Sequence, residues 1–136
     1  MIFIDTGAFL ARYLPRDTHH ARASLLWQDL GSTDIPLYTS NFVLDELFTL
    51  LGRRASHEYA ASRAKTFYSS SRLKILRPTV DDEVAALDDF EKLADQKVSF
   101  TDCVSFALMR RRHITRAFSF DRHFQLAGFE IIGQNA

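Results

Sequence analysis

The sequence contains little of the material from which disulfide frameworks, cysteine-based zinc sites or membrane spans are built. Cys103 is the only cysteine among the 136 residues, so an intrachain disulfide is excluded and the chain suits a reducing compartment. No apolar run reaches the roughly 18 residues that a membrane helix needs, and neither a basic segment nor a long apolar segment precedes Ile2. We therefore expect a soluble, unprocessed protein of the cytoplasm.

An excess of charge of one sign is also lacking. Lysine plus arginine and aspartate plus glutamate each total 17, so any affinity for nucleic acid must come from a local patch. Internal repeats are absent, and low-complexity sequence is confined to residues 69–71. The hydrophobic content of 46% fits a core of normal size, and we expect a single domain over residues 1–136.

Short β-type runs alternate with segments of helical periodicity along the chain. The expected strands cover residues 2–5, 36–39, 73–77, 115–118 and 129–132, with helices filling most of the sequence between them. Five strands separated by helices predict a parallel sheet covered on both faces, which is a three-layer α/β/α domain.

Four acidic residues lie within apolar sequence, namely Asp5, Glu46, Asp102 and Asp121. Burial of an isolated ionised carboxylate costs several kcal/mol, so four such residues imply either separate capping roles or a shared cation. Asp5 ends the first strand and Asp121 follows the fourth, which places both at the carboxyl edge where open α/β sheets bind ligands. A cap at the start of the next helix is the alternative for both aspartates.

Glu46 and Asp102 lie on helices. Successive helical residues point about 100° apart, so Glu46 falls at the border of the apolar face and its neighbour Asp45 points toward the polar side. Asp102 begins a segment that is apolar nearly all round and should be largely buried. A structural role remains open for each: Glu46 bonded to a backbone group, and Asp102 in a capping box with Ser99.

The four acids stand in segments that are distinctive when taken in order. They are FIDTGAF at an N-terminal strand, TSNFVLDELFTLL after the second strand, SFTDCVSFALM at a buried helix and FSFDRHF after the fourth strand. Together they resemble the PIN domain family, and in particular the VapC-type toxins of toxin-antitoxin pairs. The resemblance spans essentially the whole chain, and its specificity comes from the order and spacing of all four segments.

The resemblance has implications for the sheet, the site and the partners. It implies the strand order 3-2-1-4-5 and an acidic pocket with hydroxyl groups that support it. The acids are Asp5, Glu46, Asp102 and Asp121, and the hydroxyl supports are Thr6, Thr101 and Ser119. A homodimer and an antitoxin protein are the expected protein partners, and Phe48, Leu51 and Phe67 are candidates for either such an interface or the core.

Carboxylate oxygens favour hard cations, so we expect Mg²⁺ or Mn²⁺ as cofactor. One or two such ions could activate water and stabilise the leaving oxygen of a phosphodiester, which predicts a metal-dependent endoribonuclease. In this hypothesis Asp5, Asp102 and Asp121 hold metal directly or through water, and Glu46 ligates metal or orients the water.

RNA must also be held by cations, and Arg53, Arg54 and Arg122 are the candidates. The run of arginines at 110–112 is better explained by the C-terminus of the preceding helix, where the macrodipole attracts cations. The histidines show neither zinc spacing nor a nucleophile triad, and we interpret them as surface or packing residues. They are His19, His20, His57, His113 and His123.

Other functions fit the sequence less well. A receiver-type phosphoacceptor needs an acidic pair just after the first strand, and a haloacid-dehalogenase-type phosphatase needs a second aspartate where this chain has Gly7. A non-catalytic PIN-like module that binds RNA or a protein stays open. The cluster of like charges argues against it, since a binding module gains nothing from four acids in one place.

Overall fold

The computed structural model describes residues 1–133. Its centre is a five-stranded sheet in which every neighbouring pair is parallel. The strands are β1 (Ile2–Ile4), β2 (Leu37–Ser40), β3 (Leu73–Leu76), β4 (Arg116–Phe118) and β5 (Glu130–Ile132). They are ordered β3-β2-β1-β4-β5. The predicted strand order and the five predicted strands are confirmed, with bounds that differ by one residue or so.

Across residues 1–133, seven helices connect and cover the strands, which confirms the α/β/α architecture. They are α1 (Thr6–Tyr13), α2 (His20–Gly31), α3 (Asn41–Arg54), α4 (His57–Ser69), α5 (Val80–Lys92), α6 (Phe100–Arg111) and α7 (His123–Leu126). A short 3₁₀ turn, Ala94–Gln96, precedes α6. No helix among residues 1–133 has both the length and the apolar character to cross a membrane.

Local sequence accounts for where several helices begin. The hydroxyls of Ser40, Ser56 and Ser99 each accept a backbone N–H three residues further on, which satisfies a donor that the first helical turn leaves free. At α5 the Thr79 hydroxyl and the Asp82 carboxylate bond each other's backbone N–H groups, forming a complete capping box.

The core is built around the central strand and α6. All three residues of β1 are buried, as expected for a strand covered on both faces. Every residue of α6 from Asp102 to Met109 is buried, as the all-round apolar sequence predicts. Leu51 and Phe67 are buried in this core, which favours a packing role for both, whereas Phe48 is packed against the core and remains partly exposed.

Two of the three arginines at the end of α6 are engaged with α5. Arg110 pairs with Asp89, and the Arg111 guanidinium donates to both carboxylate oxygens of Asp82 at 2.8 and 2.9 Å. These bonds tie the last turn of α6 to its neighbour. They support the structural interpretation of this basic run over a role in RNA binding.

The adjacency of β1 and β4 positions the candidate site. Phe3 pairs with Ala117 and Ile4 with Phe118, so the two strands end side by side. The Asp5 N–H donates to the Phe118 carbonyl at 3.0 Å, which extends the pairing by one residue. The segments that begin at Asp5 and Ser119 therefore leave the sheet together at its carboxyl edge.

Candidate active site

A cavity of about 460 Å³ opens at this carboxyl edge, and all four predicted acids lie in its wall. They come from four elements: the ends of β1 and β4, the middle of α3 and the first turn of α6. The full lining is Asp5, Thr6, Gly7, Leu10, Glu46, Leu50, Lys97, Ser99, Asp102, Phe120, Asp121 and His123.

Asp5 is held by a hydroxyl rather than by a helix. It occupies the N-cap position of α1, yet within residues 1–133 its side chain makes no capping hydrogen bond. Instead the Ser119 hydroxyl donates to Asp5 Oδ2 at 2.9 Å, and the same hydroxyl accepts the Asp121 N–H at 3.0 Å. Ser119 thus links the carboxylate that follows β1 to the backbone that follows β4. The capping alternative for Asp5 finds no support in these contacts.

The Asp102 carboxylate accepts no hydrogen bond from the part of the chain that the structure describes. Its N–H is capped by the Ser99 hydroxyl at 3.1 Å, but no bond returns from the Ser99 N–H to the carboxylate among the described residues. Only half of the expected capping box is therefore formed. The Asp102 side chain is 10% exposed, and a buried carboxylate in this state needs a proton or a cation.

Burial and mutual repulsion disfavour ionisation in the cavity. Burial raises the pKa of Asp5 to about 7, with Asp121 and Glu46 adding to the rise and the Ser119 hydrogen bond opposing it. Burial, together with Asp5, Asp121 and Glu46, raises the pKa of Asp102 to about 9. A bound cation would reverse this preference, because it favours the charged carboxylates.

Asp121 takes part in a local turn and still faces the other acids. Its Oδ1 accepts the N–H of His123, the first residue of α7, at 2.9 Å, although Arg122 rather than Asp121 occupies the N-cap position of that helix. No protein donor among residues 1–133 bonds its Oδ2. Its side chain is 37% exposed, which leaves it accessible from the cavity.

His123 lines the cavity, a position that its interpretation as a surface or packing residue did not anticipate. Its Nδ1 is 3.1 Å from Asp121 Oδ1 and 3.7 Å from Asp102 Oδ2. One donor atom each from Asp102, Asp121 and His123 lies within 4.8 Å of the other two. Asp5 and Glu46 line the same cavity but do not belong to this tighter group.

Glu46 and Asp45 differ as the helical geometry of α3 predicts. Glu46 is half-buried in the cavity wall, whereas Asp45 is exposed and lies outside it. The Glu46 carboxylate makes no hydrogen bond to a backbone group among the described residues. A purely structural role through such a bond is therefore unsupported.

The supporting hydroxyls have unequal positions. Ser119 bridges Asp5 and Asp121 as described above, and Thr6 lines the cavity with a buried hydroxyl that lacks a partner among residues 1–133. Thr101 is not among the residues that line the cavity, and its carbonyl accepts the Ser105 hydroxyl at 3.1 Å.

The basic residues expected to hold RNA lie around the cavity rather than in it. Arg53 and Arg54 end α3 and border separate surface depressions. Arg122 is exposed and bonds Gln96 at 3.3 Å. Lys97, which the sequence reasoning missed, lines the cavity, because a left-handed turn after the 3₁₀ segment brings it to the rim.

The donor set fits a divalent cation. Carboxylate oxygens predominate, two of the carboxylates are disfavoured as isolated charges, and the Asp102 carboxylate accepts no hydrogen bond from the described protein. A hard cation that retains part of its water shell is suited to such an open, oxygen-rich site.

Comparisons with known proteins agree with this fold. The PIN domain family model matches residues 2–130. The chain is 37% identical over 129 residues to the "23S rRNA-specific endonuclease VapC20" of two Mycobacterium tuberculosis strains, covering 95% of each protein. It superposes with a TM-score of 0.86 on the crystal structure of that protein, described as a Sarcin-Ricin loop cleaving toxin, at 35% identity over 95% of this chain and 96% of the other.

More distant structures share the fold. DNA-bound VapBC from Salmonella typhimurium matches at 16% identity with a TM-score of 0.62, covering 97% of this chain and 98% of that one. FitAcB from Neisseria gonorrhoeae matches at 15% identity with a TM-score of 0.66, covering 97% and 96%. The family model and the 37% identical relative, each matched over nearly the full length, establish that the chain belongs to the PIN domain family.

Proposed function

We propose that this protein is a metal-dependent endoribonuclease that hydrolyses phosphodiester bonds in RNA. The observation that carries the proposal is the convergence of Asp5, Glu46, Asp102 and Asp121 on one cavity at the carboxyl edge of the sheet. The endonuclease named as a relative, similar over nearly its whole length, supports the same reaction.

Asp102, Asp121 and Asp5 would hold Mg²⁺ or Mn²⁺ in this site. When bound, the cation would neutralise the carboxylates and stabilise the charge that develops on the phosphate. Ser119 fixes the orientation of Asp5 through its hydrogen bond. Glu46, which lines the same cavity from α3, would orient the attacking water.

Ribosomal RNA is the first substrate to test. The relative is named for cleavage of 23S rRNA, and its crystal structure is described as that of a Sarcin-Ricin loop cleaving toxin. Because this chain and that relative are 37% identical over 129 residues, we propose that both act on the same class of RNA. Lys97 at the cavity rim and Arg122 on the adjoining surface would contact phosphates.

The proposed activity is tested by incubating the purified protein with ribosomal RNA in Mg²⁺ or Mn²⁺, with and without a chelator. Cleavage that stops on chelation, and that Asp5→Asn lacks while keeping its folded circular dichroism spectrum, is the expected result. RNA binding without cleavage under either ion would instead identify a non-catalytic module.

A toxin role with an antitoxin partner, acting in the cytoplasm, belongs to the same proposal. Its support is the toxin relative. Expression of the protein alone should arrest growth, and coexpression of a small antitoxin encoded beside it should relieve the arrest. Arrest that persists in Asp5→Asn would separate toxicity from RNA cleavage and contradict this part of the proposal.

We also propose a homodimer, and an exposed apolar stripe on α5 supports it. Val80, Val84, Leu87 and Phe90 recur at helical spacing and are 73%, 57%, 50% and 45% exposed. An exposed apolar surface of this kind marks an interaction site. Light scattering should give twice the mass of one chain, and Val84→Glu should shift the protein to monomer. A monomeric wild type at micromolar concentration would contradict the assignment.

A further inference from the structure

The geometry points to His123 as a nitrogen ligand of the cation, and we infer that the site therefore prefers Mn²⁺ to Mg²⁺. This inference deepens the proposed function and rests on it, since it concerns the cation of the same site. The experiments that test the inference measure metal binding and do not require RNA cleavage.

The Nδ1 atom of His123 is buried and has no hydrogen-bond partner among residues 1–133. It lies 3.1 Å from Asp121 Oδ1 without the geometry of a hydrogen bond, and 3.7 Å from Asp102 Oδ2. An imidazole that merely oriented Asp121 would be expected to aim its N–H at that oxygen. The unpartnered nitrogen faces the carboxylates of Asp102 and Asp121. Each of these carboxylates has at least one oxygen that accepts no hydrogen bond from the described residues.

The separations suit ligands of one small cation. Ligands about 2.1 Å from a cation in an octahedral arrangement lie roughly 3 Å apart when adjacent, and further apart at wider angles. The distances from Nδ1 to the two carboxylates, 3.1 and 3.7 Å, fall in that range. All three donor atoms lie within 4.8 Å of one another, so small side-chain adjustments would bring them around one ion.

The imidazole is held in this place by the fold. His123 is the first residue of α7, and its N–H is bonded to Asp121 Oδ1. The next residue, Phe124, is fully buried and packs edge-on against Phe106 of α6 at 5.0 Å between ring centroids. Since α6 also carries Asp102, this contact packs the helices that bear the histidine and that carboxylate against each other.

A nitrogen donor changes the ion that the site favours. Mg²⁺ binds oxygen almost exclusively, whereas imidazole suits transition-metal ions, and affinity rises from Mn²⁺ onward along the first-row series. A set of carboxylate oxygens with one imidazole thus raises the affinity for Mn²⁺ relative to Mg²⁺. An aspartate at position 123 would restore an all-oxygen set of similar reach.

Pulsed electron paramagnetic resonance of the Mn²⁺-loaded protein tests the ligand directly. The wild type should show ¹⁴N coupling to Mn²⁺ that becomes ¹⁵N coupling when histidine is selectively labelled, and His123→Asp should lose it. His113→Asn is the matched control, because His113 is exposed and has a φ of 57° that asparagine tolerates. Absence of histidine coupling in the wild type would overturn the inference, as would its persistence in His123→Asp.

Competition titrations test the preference. The ratio of Mn²⁺ to Mg²⁺ affinity should fall about 10-fold in His123→Asp, corresponding to about 1.4 kcal/mol, and stay unchanged in His113→Asn. An unchanged ratio in His123→Asp would contradict the inference. If the protein shows histidine coupling but does not cleave RNA, His123 is a metal ligand and only the proposed nuclease function is refuted. If it cleaves RNA without histidine coupling, the nuclease function stands and the inference about His123 is refuted.

Discussion

Replacement of Asp5 by asparagine should stabilise the metal-free protein at neutral and alkaline pH. Burial raises the pKa of Asp5 from 3.8 to about 7, so the folded state keeps its proton over a range in which the unfolded chain has lost it. The folded state therefore binds more protons between these values, and stability falls as pH rises through this window. The contribution is fully present below about pH 4.

The magnitude follows from the shift. At about 1.4 kcal/mol per pKa unit, a rise of roughly three units corresponds to about 4 kcal/mol lost between pH 4 and pH 8. Asparagine keeps an acceptor for the Ser119 hydroxyl and carries no charge at any of these pH values. For a chain of this size the gain for Asp5→Asn at pH 8 should appear as a rise in Tm of about 10 °C.

Thermal unfolding with a chelator at pH 5, 6, 7 and 8 measures the effect. The wild type should lose stability across the series faster than Asp5→Asn, and Asp45→Asn, an exposed change outside the cavity, should track the wild type. Mg²⁺ or Mn²⁺ at about 100 times its Kd should then stabilise the wild type by about 2.7 kcal/mol and the variant less. Parallel pH profiles for wild type and Asp5→Asn would refute the reasoning.

Further outcomes follow from single contacts in the site. In single-turnover kinetics at saturating RNA, Glu46→Gln should lower the cleavage rate and Asp45→Asn should leave it unchanged. Equal effects of the two substitutions would contradict the assignment of Glu46, rather than Asp45, to the site. Lys97→Asn, an exchange that a left-handed residue tolerates, and Arg122→Ala should each weaken RNA binding and reduce the salt slope by about one unit in fluorescence anisotropy. An unchanged salt slope in either variant would show that the substituted residue does not contact an RNA phosphate. Ser119→Ala should cost about 1–2 kcal/mol in urea unfolding, because the Asp121 N–H and the Asp5 carboxylate both lose their partner.

The sheet was the most predictable part of the molecule. Short apolar runs separated by helical periods follow from the burial of both sheet faces, and each of the five runs forms a strand. The order of the strands is not contained in that alternation. It came from the resemblance to the PIN family, since the partner of a strand depends on contacts far apart in sequence.

Part of the site was predictable for a similar reason. The position of Glu46 in the cavity wall follows from the 3.6-residue period of α3, and the position of Asp5 from the end of a strand. Both depend on regular elements whose geometry is known in advance.

His123 and Lys97 could not be placed from the sequence because short irregular elements carry them. His123 reaches the cavity through the four-residue helix α7, which is too short to give a periodic signal. Lys97 reaches the rim through a left-handed residue after a three-residue 3₁₀ turn. The one available signal for His123 was its separation of two residues from Asp121.

We propose that the carboxylates at the carboxyl edge form one cation site that cleaves RNA. Cleavage of ribosomal RNA by Asp102→Asn and wild type should be compared at matched concentrations, with Mn²⁺, Mg²⁺ or a chelator, on denaturing gels. The wild type should produce discrete fragments that vanish on chelation, and Asp102→Asn should be slower by on the order of 100-fold or more while remaining folded. Undiminished cleavage by Asp102→Asn, or cleavage by the wild type in the presence of the chelator, would contradict the claim.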